Sequence, residues 1–133
     1  MLNFEGKFGA HVLEKLQHET VIWLTTVKSD GTPEPNPVWF YWDGHTILIY
    51  SQPASFKLRN IPIHPKVSLH FEGGGDNVVV LTGEAALDPH PTMSEGYTKK
   101  YLADIKGLGD TVDQFHADYS VAIHITPTKL RGF

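Results

Sequence analysis

The sequence predicts a single, mainly β domain, a small antiparallel β-barrel accompanied by α-helices. The chain has 133 residues, of which 41% are hydrophobic and 20% charged, as in ordinary globular domains. About six strand-like segments follow one another, and most connections are short enough for hairpins, which favours antiparallel pairing. A barrel closes the edges that such a sheet would otherwise expose. With no repeat or linker in the sequence, residues 1–133 are predicted to form one domain.

The first half of the chain is predicted to contain a helix and three strands. Apolar residues at helical spacing predict a helix over 11–18, and β-branched residues predict a strand over 20–27. The segment over 33–42 begins with alternating prolines, which cannot donate to a strand ladder and therefore place it at an edge or bulge. Asp43-Gly44 predicts a hairpin turn into the strand over 46–51.

The second half is predicted to alternate helices with strands. A short helix over 56–61 is ended by Pro62 and Pro65. Strands follow over 67–71 and 78–87, and Gly83 predicts a β-bulge in the second of them. The next helix is predicted to be capped by Thr92 or Ser94 and to end at Gly107 and Gly109. A helical turn over 111–116 follows it. The last strand is predicted over 119–126, and residues 127–133 extend it.

Composition excludes several classes of function. The chain has no cysteine, which excludes a disulfide scaffold, an iron–sulfur cluster and a thiol nucleophile. Its net charge of −4 offers no basic surface for nucleic acid. The apolar runs are far shorter than the roughly 20 residues that span a bilayer, and residues 1–9 do not resemble a secretion signal. We therefore expect a cytoplasmic protein that binds neither nucleic acid nor membrane.

Motifs for metal binding and nucleophilic catalysis are missing from the sequence. No two of the eight histidines have the i, i+4 spacing of a helical zinc site, so no metal site is predicted. There is no Gly-x-Ser-x-Gly nucleophile motif. Neither glycine cluster, 73–76 or 106–110, combines the order strand, turn and helix with the third glycine that a dinucleotide-binding fingerprint requires. The sequence alone assigns no catalytic side chain.

The segment over 51–61 is more informative, because it follows a strand and opens a helix. A helix start offers backbone N–H groups and partial positive charge. Lys57 and Arg59 add two full charges there, and Ser51 and Ser55 add hydroxyl groups. These groups suit a phosphate or a carboxylate, although an ordinary solvated basic helix has the same composition.

Just upstream, residues 35–42 spell Pro-Asn-Pro-Val-Trp-Phe-Tyr-Trp. A flat aromatic cofactor needs planar apolar walls and a few fixed polar groups, and this rigid aromatic stretch supplies such walls. Because side chains alternate along a strand, about half of these aromatic residues are expected in the barrel core instead.

Taken together, these segments resemble the flavin/deazaflavin split-barrel family, the superfamily of pyridoxamine 5′-phosphate oxidase. The resemblance covers nearly the whole chain, and it is closest to short members described as probable F420-dependent oxidoreductases. Its most specific part is Lys57-x-Arg59-Asn60 followed by His64-Pro65-x-Val67. The other matching segments are 35–40, Tyr50-Ser51, 83–85 and 126–133.

The resemblance implies a six-stranded antiparallel Greek-key split barrel of the FMN-binding type. It also implies a homodimer with two cofactor sites in grooves between the subunits. In that family the proline-rich strand flanks the ring system, the next strand borders the ring and its ribityl-like chain, and the following helix holds the phosphate and, for F420, the glutamyl tail. The implied cofactor-binding residues are Pro35, Asn36, Pro37, Val38, Trp39, Tyr50, Ser51, Ser55, Lys57, Arg59 and Asn60.

The implied function is hydride transfer between F420 and an electron-poor organic small molecule, with the cofactor carrying the chemistry. Trp39, Tyr41 and, from the partner subunit, residues near Lys129 and Arg131 are candidates for substrate contact. Two alternatives stay open. One is an FMN-binding oxidase or reductase of the same family. The other is a non-catalytic flavin-, deazaflavin- or haem-binding protein, with His64 or His70 as a haem ligand.

Overall fold

The computed structural model describes residues 2–133, which form four helices and one seven-stranded sheet. The helices are α1 (Gly6–His18), α2 (Lys57–Ile63), α3 (Glu95–Gly107) and α4 (Val112–Asp118). The strands are β1 (Ile22–Val27), β2 (Pro33–Val38), β3 (Tyr41–Trp42), β4 (Ile47–Ser51), β5 (Lys66–His70), β6 (Val79–Asp88) and β7 (Val121–Gly132). Every strand pair is antiparallel, in the order β2-β1-β5-β6-β7-β4-β3, which confirms the predicted mainly β class. Across residues 2–133, no helix has both the length and the apolar character that crossing a membrane requires.

The curved sheet encloses a core of mostly aliphatic side chains, here called the aliphatic core. Buried and less buried residues alternate along β1, as expected for a strand with one face toward a core. Helix α1 closes this core with Val12 and Leu16. The buried members are Val12, Leu16, Ile22, Leu24, Phe40, Ile47, Ile49, Ile61, Val67, Leu69, Phe71, Val79, Leu81, Ala85, Ile123 and Ile125.

A second cluster, here called the aromatic cluster, lies between the sheet and helices α3 and α4. Its buried members are Leu48, Tyr50, Tyr97, Tyr101, Ile105, Phe115 and Ala122. Strand β4 contributes to both clusters, since Ile47 and Ile49 face the aliphatic core while Leu48 and Tyr50 face the helices. For this reason all five residues of β4 are buried.

The segment over 33–42 was predicted to be one strand, and this prediction is wrong at Trp39 and Phe40. There the chain leaves the ladder, so β2 and the two-residue β3 are separate strands and the sheet has seven strands instead of six. The backbone N–H of Phe40 donates to the Tyr101 hydroxyl at 2.9 Å, and its carbonyl accepts from Nζ of Lys100 at 2.8 Å. Because α3 satisfies both backbone groups, Phe40 needs no strand partner.

The predicted bulge, edge strand and cap are confirmed. The β6–β7 register shifts between Thr82 and Gly83, and a Cβ on Gly83 would lie 2.8 Å from the Thr126 carbonyl oxygen. The proline-rich β2 is an edge strand. Ser94 caps α3 by accepting from the backbone N–H of Tyr97 at 3.2 Å.

Two helix boundaries differ from the prediction. Helix α1 begins at Gly6 instead of residue 11, because Phe8 and Val12 continue its packed face toward the N-terminus. Helix α2 includes Pro62 in its last turn and ends at Ile63. A proline in the last turn forfeits one backbone hydrogen bond without breaking the helix, and the chain leaves the helix before Pro65.

Candidate functional site

A cavity of about 510 Å³ lies against β2, β4 and the start of α2, at the edge of the aromatic cluster. This volume is within the range of about 300–1,000 Å³ that is usual for small-molecule sites. Seven predicted cofactor-binding residues line it: Pro37, Val38, Trp39, Tyr50, Ser51, Ser55 and Lys57. The fold thus brings together the end of the proline-rich strand, the end of β4 and the first residue of α2.

One side of the cavity is an aromatic wall that is held rigidly from behind. The Trp39 ring lies parallel to Tyr101, with centroids 4.7 Å apart, and nearly parallel to Phe115 at 5.7 Å. Phe115 in turn stacks on Tyr119 at 4.5 Å. Such a wall offers flat apolar surface to a planar ring system.

The other side is polar and carries one cation. Nζ of Lys57 donates to Oγ of Ser55 at 2.9 Å, and Oγ of Ser51 donates to the Gln52 carbonyl at 3.1 Å. Burial lowers the pKa of Lys57 below its ordinary value. The only ion pair among residues 2–133 is Lys15–Glu19, so Lys57 has no carboxylate partner there. A half-buried ammonium without a counter-ion favours an anionic ligand.

The α2 backbone contributes less to this polar side than the sequence suggests. Helix α2 has only seven residues, so its dipole is small. The N–H groups of Leu58 and Arg59 donate to the carbonyls of Ser55 and Phe56, at 3.1 and 2.9 Å. The predicted free N–H groups are therefore engaged at these two positions, and the cation of Lys57 dominates the electrostatics.

The remaining predicted cofactor residues lie outside the cavity lining. Pro35 and Asn36 are exposed on the edge strand β2. The Arg59 guanidinium is exposed and lies 5.4 Å from the centre of the Phe56 ring. All three remain near the site in sequence, but only a ligand that extends beyond the cavity would reach them.

Asn60 also lies outside the lining, and its side chain has a structural role. The residue is buried, and its Nδ2 donates to Oγ1 of Thr26 and to Oε1 of Glu34, both at 2.9 Å. These bonds tie α2 to strands β1 and β2. Both amide protons of Asn60 are used, so none remains for a phosphate.

Three lining residues come from segments to which the sequence analysis gave no role in a site: Tyr97 and Phe115 were predicted in helices and Tyr119 at the start of a strand. Tyr97 belongs to α3, Phe115 to α4, and Tyr119 follows α4 directly. Each helical pair, Tyr97 with Tyr101 and Phe115 with Tyr119, has the i, i+4 spacing that places two rings on one face. That spacing predicts a buried aromatic face, but not which strand it covers.

No histidine lines the cavity in the part of the chain that the structure describes. His70 stacks on Trp23 instead, with ring centroids 6.0 Å apart. His64 follows α2, and its backbone N–H donates to the Asn60 carbonyl. Neither candidate haem ligand therefore faces the cavity. Residues 2–133 also contain no cluster of three or more potential metal-ligating side chains.

His116 is the histidine nearest the cavity wall, and it lies behind it. Its ring contacts the Tyr50 ring edge-on at 5.2 Å, and its Nε2 lies 3.0 Å from Oγ1 of Thr98. Burial lowers the pKa of His116, which keeps the ring neutral near pH 7. Tyr41, a predicted substrate contact, packs against Gly96 of α3 and does not line the cavity.

Comparisons with known proteins agree with this architecture. The family model described as pyridoxamine 5′-phosphate oxidase matches residues 8–132. A solved F420 reductase is 26% identical, with a TM-score of 0.67, and the match covers 89% of this chain and 94% of that one. No curated protein matches the sequence significantly.

Two further solved structures share the fold. A conserved hypothetical protein from Mycobacterium tuberculosis has a TM-score of 0.71 at 22% identity, over 92% of this chain and 81% of that one. HutZ, the heme storage protein from Vibrio cholerae, has a TM-score of 0.66 at 16% identity, over 95% and 94%. The predicted family and split-barrel fold are confirmed: the chain belongs to the pyridoxamine 5′-phosphate oxidase-like split-barrel family.

Proposed function

We propose that this protein is an F420-dependent oxidoreductase that transfers a hydride between the deazaflavin and an electron-poor organic molecule. The proposal rests on one observation: the same cavity has the aromatic wall at Trp39 on one side and the cation of Lys57 on the other. The match to an F420 reductase over 89% of the chain supports it.

The residues present fit a deazaflavin cofactor. Its flat ring system needs the kind of wall that Trp39 and Phe115 form, and its phosphate needs a cation such as Lys57 with a neighbouring hydroxyl such as that of Ser55. Arg59 is exposed on the same helix, where we propose that it meets the glutamyl tail. When bound, F420 supplies hydride chemistry. The protein's own task is to hold the ring and to keep water from it.

We also propose that the working form is a homodimer with the cofactor sites between the subunits. Val21 and Leu108 both line the cavity, yet 41% and 62% of their surfaces are exposed. Exposed apolar side chains at the mouth of a site are typical of surfaces that another chain covers. The edge strand β2 lies beside them and leaves its outer backbone groups unpaired within this chain.

FMN is the second candidate cofactor, because Lys57 is the only charged residue that lines the cavity among residues 2–133 and FMN carries a single phosphate group. The distinction between the two cofactors rests on what lies outside the cavity. A glutamyl tail extends beyond the phosphate, whereas FMN ends there. Arg59 therefore separates the two cases experimentally.

The test is a titration of the purified protein with F420 and with FMN, followed by tryptophan fluorescence. Trp39 lines the cavity, whereas Trp23 stacks on His70 and Trp42 packs against Phe4, so quenching by a bound ring reports chiefly on Trp39. We expect tighter binding of F420. Lys57→Met should weaken both cofactors by about 10- to 100-fold, the usual loss for a charge-assisted hydrogen bond.

Two further variants make the assignment specific. Arg59→Met should weaken F420 several-fold and leave FMN unchanged, because only F420 has the tail. Lys66→Met, a change of an exposed lysine on β5, is the matched control and should change neither affinity. Tighter binding of FMN would reassign the cofactor, and wild-type affinity in Lys57→Met would refute the site.

A further inference from the structure

The side chain of Tyr97 differs from the other tyrosines of the aromatic cluster. It is only 1% exposed and lines the cavity, yet its hydroxyl has no hydrogen-bond partner among residues 2–133. The hydroxyl of Tyr101 accepts from Phe40 and donates to the Thr20 carbonyl at 2.7 Å. The hydroxyl of Tyr50 accepts from the backbone N–H of Ser94 at 2.8 Å. A buried tyrosine hydroxyl ordinarily has such a partner.

The small exposed part of Tyr97 includes its hydroxyl oxygen. Within the described chain, the one side-chain polar atom that is both sealed from solvent and unbonded is Nδ1 of His116. The Tyr97 oxygen is also unbonded, but it is not sealed from solvent, so it contributes to the small exposed surface of the residue. Tyr97 lines the cavity, so the cavity is the space from which a ligand would reach this oxygen.

The surroundings of the hydroxyl define its chemistry. Burial raises the pKa of Tyr97, so the group stays protonated at physiological pH and has a proton to donate. The rings of Tyr50, Tyr101 and Phe115 lie 4.7, 4.9 and 6.4 Å from the Tyr97 ring, so the donor sits in an aromatic setting. A neutral donor at the edge of a flat apolar space fits a neutral acceptor on a flat molecule better than it fits an anion.

We propose that Tyr97 is a specificity-determining residue, whose hydroxyl donates a hydrogen bond to a carbonyl oxygen of the planar ligand in the cavity. The proposal rests on the proposed function only in that a planar molecule occupies this cavity. Either the ring of the cofactor or a planar acceptor substrate supplies the carbonyl. Tyr97 thereby selects ligands that have an acceptor oxygen over hydrocarbons of the same shape, because a ligand without one leaves the hydroxyl unpaired.

The test pairs two ligands with two proteins. The dissociation constants of 1,4-naphthoquinone and naphthalene are measured for the wild type and for Tyr97→Phe. The chain has no cysteine that the quinone would alkylate. We expect Tyr97→Phe to weaken naphthoquinone by about 3- to 10-fold, the value of one neutral hydrogen bond, and to leave naphthalene unchanged. Tyr101→Phe is the control, because it removes a hydroxyl that is already bonded within the protein and should not discriminate between the two ligands.

Several results would overturn the proposal. These are equal binding of naphthoquinone by both proteins, equal weakening of both ligands by Tyr97→Phe, and binding of neither ligand by the wild type. A loss of thermal stability in Tyr97→Phe as large as that in Tyr101→Phe would also overturn it, because the hydroxyl would then have a partner in the fold.

Titration of the same variants with F420 identifies the source of the carbonyl. A similar weakening of F420 in Tyr97→Phe assigns the bond to the cofactor ring. Unchanged F420 affinity with a raised KM for naphthoquinone as acceptor assigns it to the substrate. If the wild type binds naphthoquinone as expected but does not bind F420, the proposed function fails while the role of Tyr97 stands.

Discussion

The aliphatic core and the aromatic cluster lie on opposite faces of the same strand, β4, but they have different roles. The buried members of the aliphatic core have no side-chain polar atoms. The aromatic cluster contains three buried tyrosines and borders the cavity. Tyrosine combines large apolar area with one polar atom, so it can form a wall and still present a hydrogen-bonding group.

The tyrosine hydroxyl groups of the aromatic cluster differ in their hydrogen-bond partners. Those of Tyr101 and Tyr50 are bonded to the backbone and hold the cluster in place, whereas that of Tyr97 has no partner among residues 2–133. Under the role proposed above for Tyr97, stability and binding depend on different members of one cluster. The aliphatic core supplies only stability. Substitutions in the two regions should separate these roles.

The largest effect is expected in the aliphatic core, at Leu81. This side chain is fully buried on β6, and its truncation leaves a cavity that the surrounding strands cannot fill. Leu81→Ala should lower the free energy of unfolding by about 2–5 kcal/mol. Urea denaturation measures it. The control is Leu102→Ala on the exposed side of α3, with an expected change within about 0.5 kcal/mol; an equally small change at Leu81 would contradict the assignment of the core.

A smaller effect is expected within the aromatic cluster, at Tyr101. Tyr101→Phe leaves the buried N–H of Phe40 without its acceptor, which should cost about 1–3 kcal/mol of unfolding free energy. Tyr97→Phe removes a hydroxyl with no partner in the fold and should change stability by less than about 0.5 kcal/mol. Urea denaturation of both variants makes the comparison. Equal losses would show that the two hydroxyl groups are not used differently.

A further effect is a pH dependence of stability that originates mainly at Lys100, which lies beside the rings of Phe40 and Tyr101. Burial lowers the pKa of Lys100 to about 8 from its ordinary value of 10.5. Between these values the unfolded chain binds more protons than the folded one, so stability should rise from about pH 8 toward pH 10. Above pH 10 the rise should reverse, because burial raises the pKa values of Tyr97 and Tyr101 above 10.0 and the unfolded chain loses those protons first.

Lys100→Met should flatten this rise, as measured by urea denaturation at several pH values. Part of the rise of stability with pH should remain in Lys100→Met, since burial also lowers the pKa of Lys57. Lys66→Met, at an exposed position outside both clusters, should keep the full slope. A profile in Lys100→Met that matches the wild type would show that the folded protein does not disfavour the charged form of Lys100.

Local signals in the sequence predicted most of the fold. The prolines of β2 identified an edge strand, Asp43-Gly44 identified a hairpin, and Gly83 identified a bulge, because each has a backbone preference that acts within a few residues. The break at Trp39 and Phe40 escaped prediction. Its cause is Tyr101, which lies 61 residues further along the chain and has no local signature at Phe40.

Part of the cavity lining was predictable. Trp39, Tyr50 and Lys57 were predicted as site residues from the resemblance to the family, and all three line the cavity. The resemblance also included Asn60, whose buried bonds to Thr26 and Glu34 appear only in three dimensions. Tyr97 needed the structure as well, because a tyrosine on a helix face does not reveal whether its hydroxyl is bonded.

Phe40 connects the aliphatic core to helix α3, and this connection determines which parts of the protein can unfold locally. Its ring belongs to the aliphatic core, while its peptide groups are held by Lys100 and Tyr101 of α3. The helical layer therefore cannot swing away from the sheet without disturbing the barrel, and the two should open as one cooperative unit. A molecule bound against Trp39 would then slow amide exchange deep in the barrel as well as at the cavity, since both depend on the same opening event.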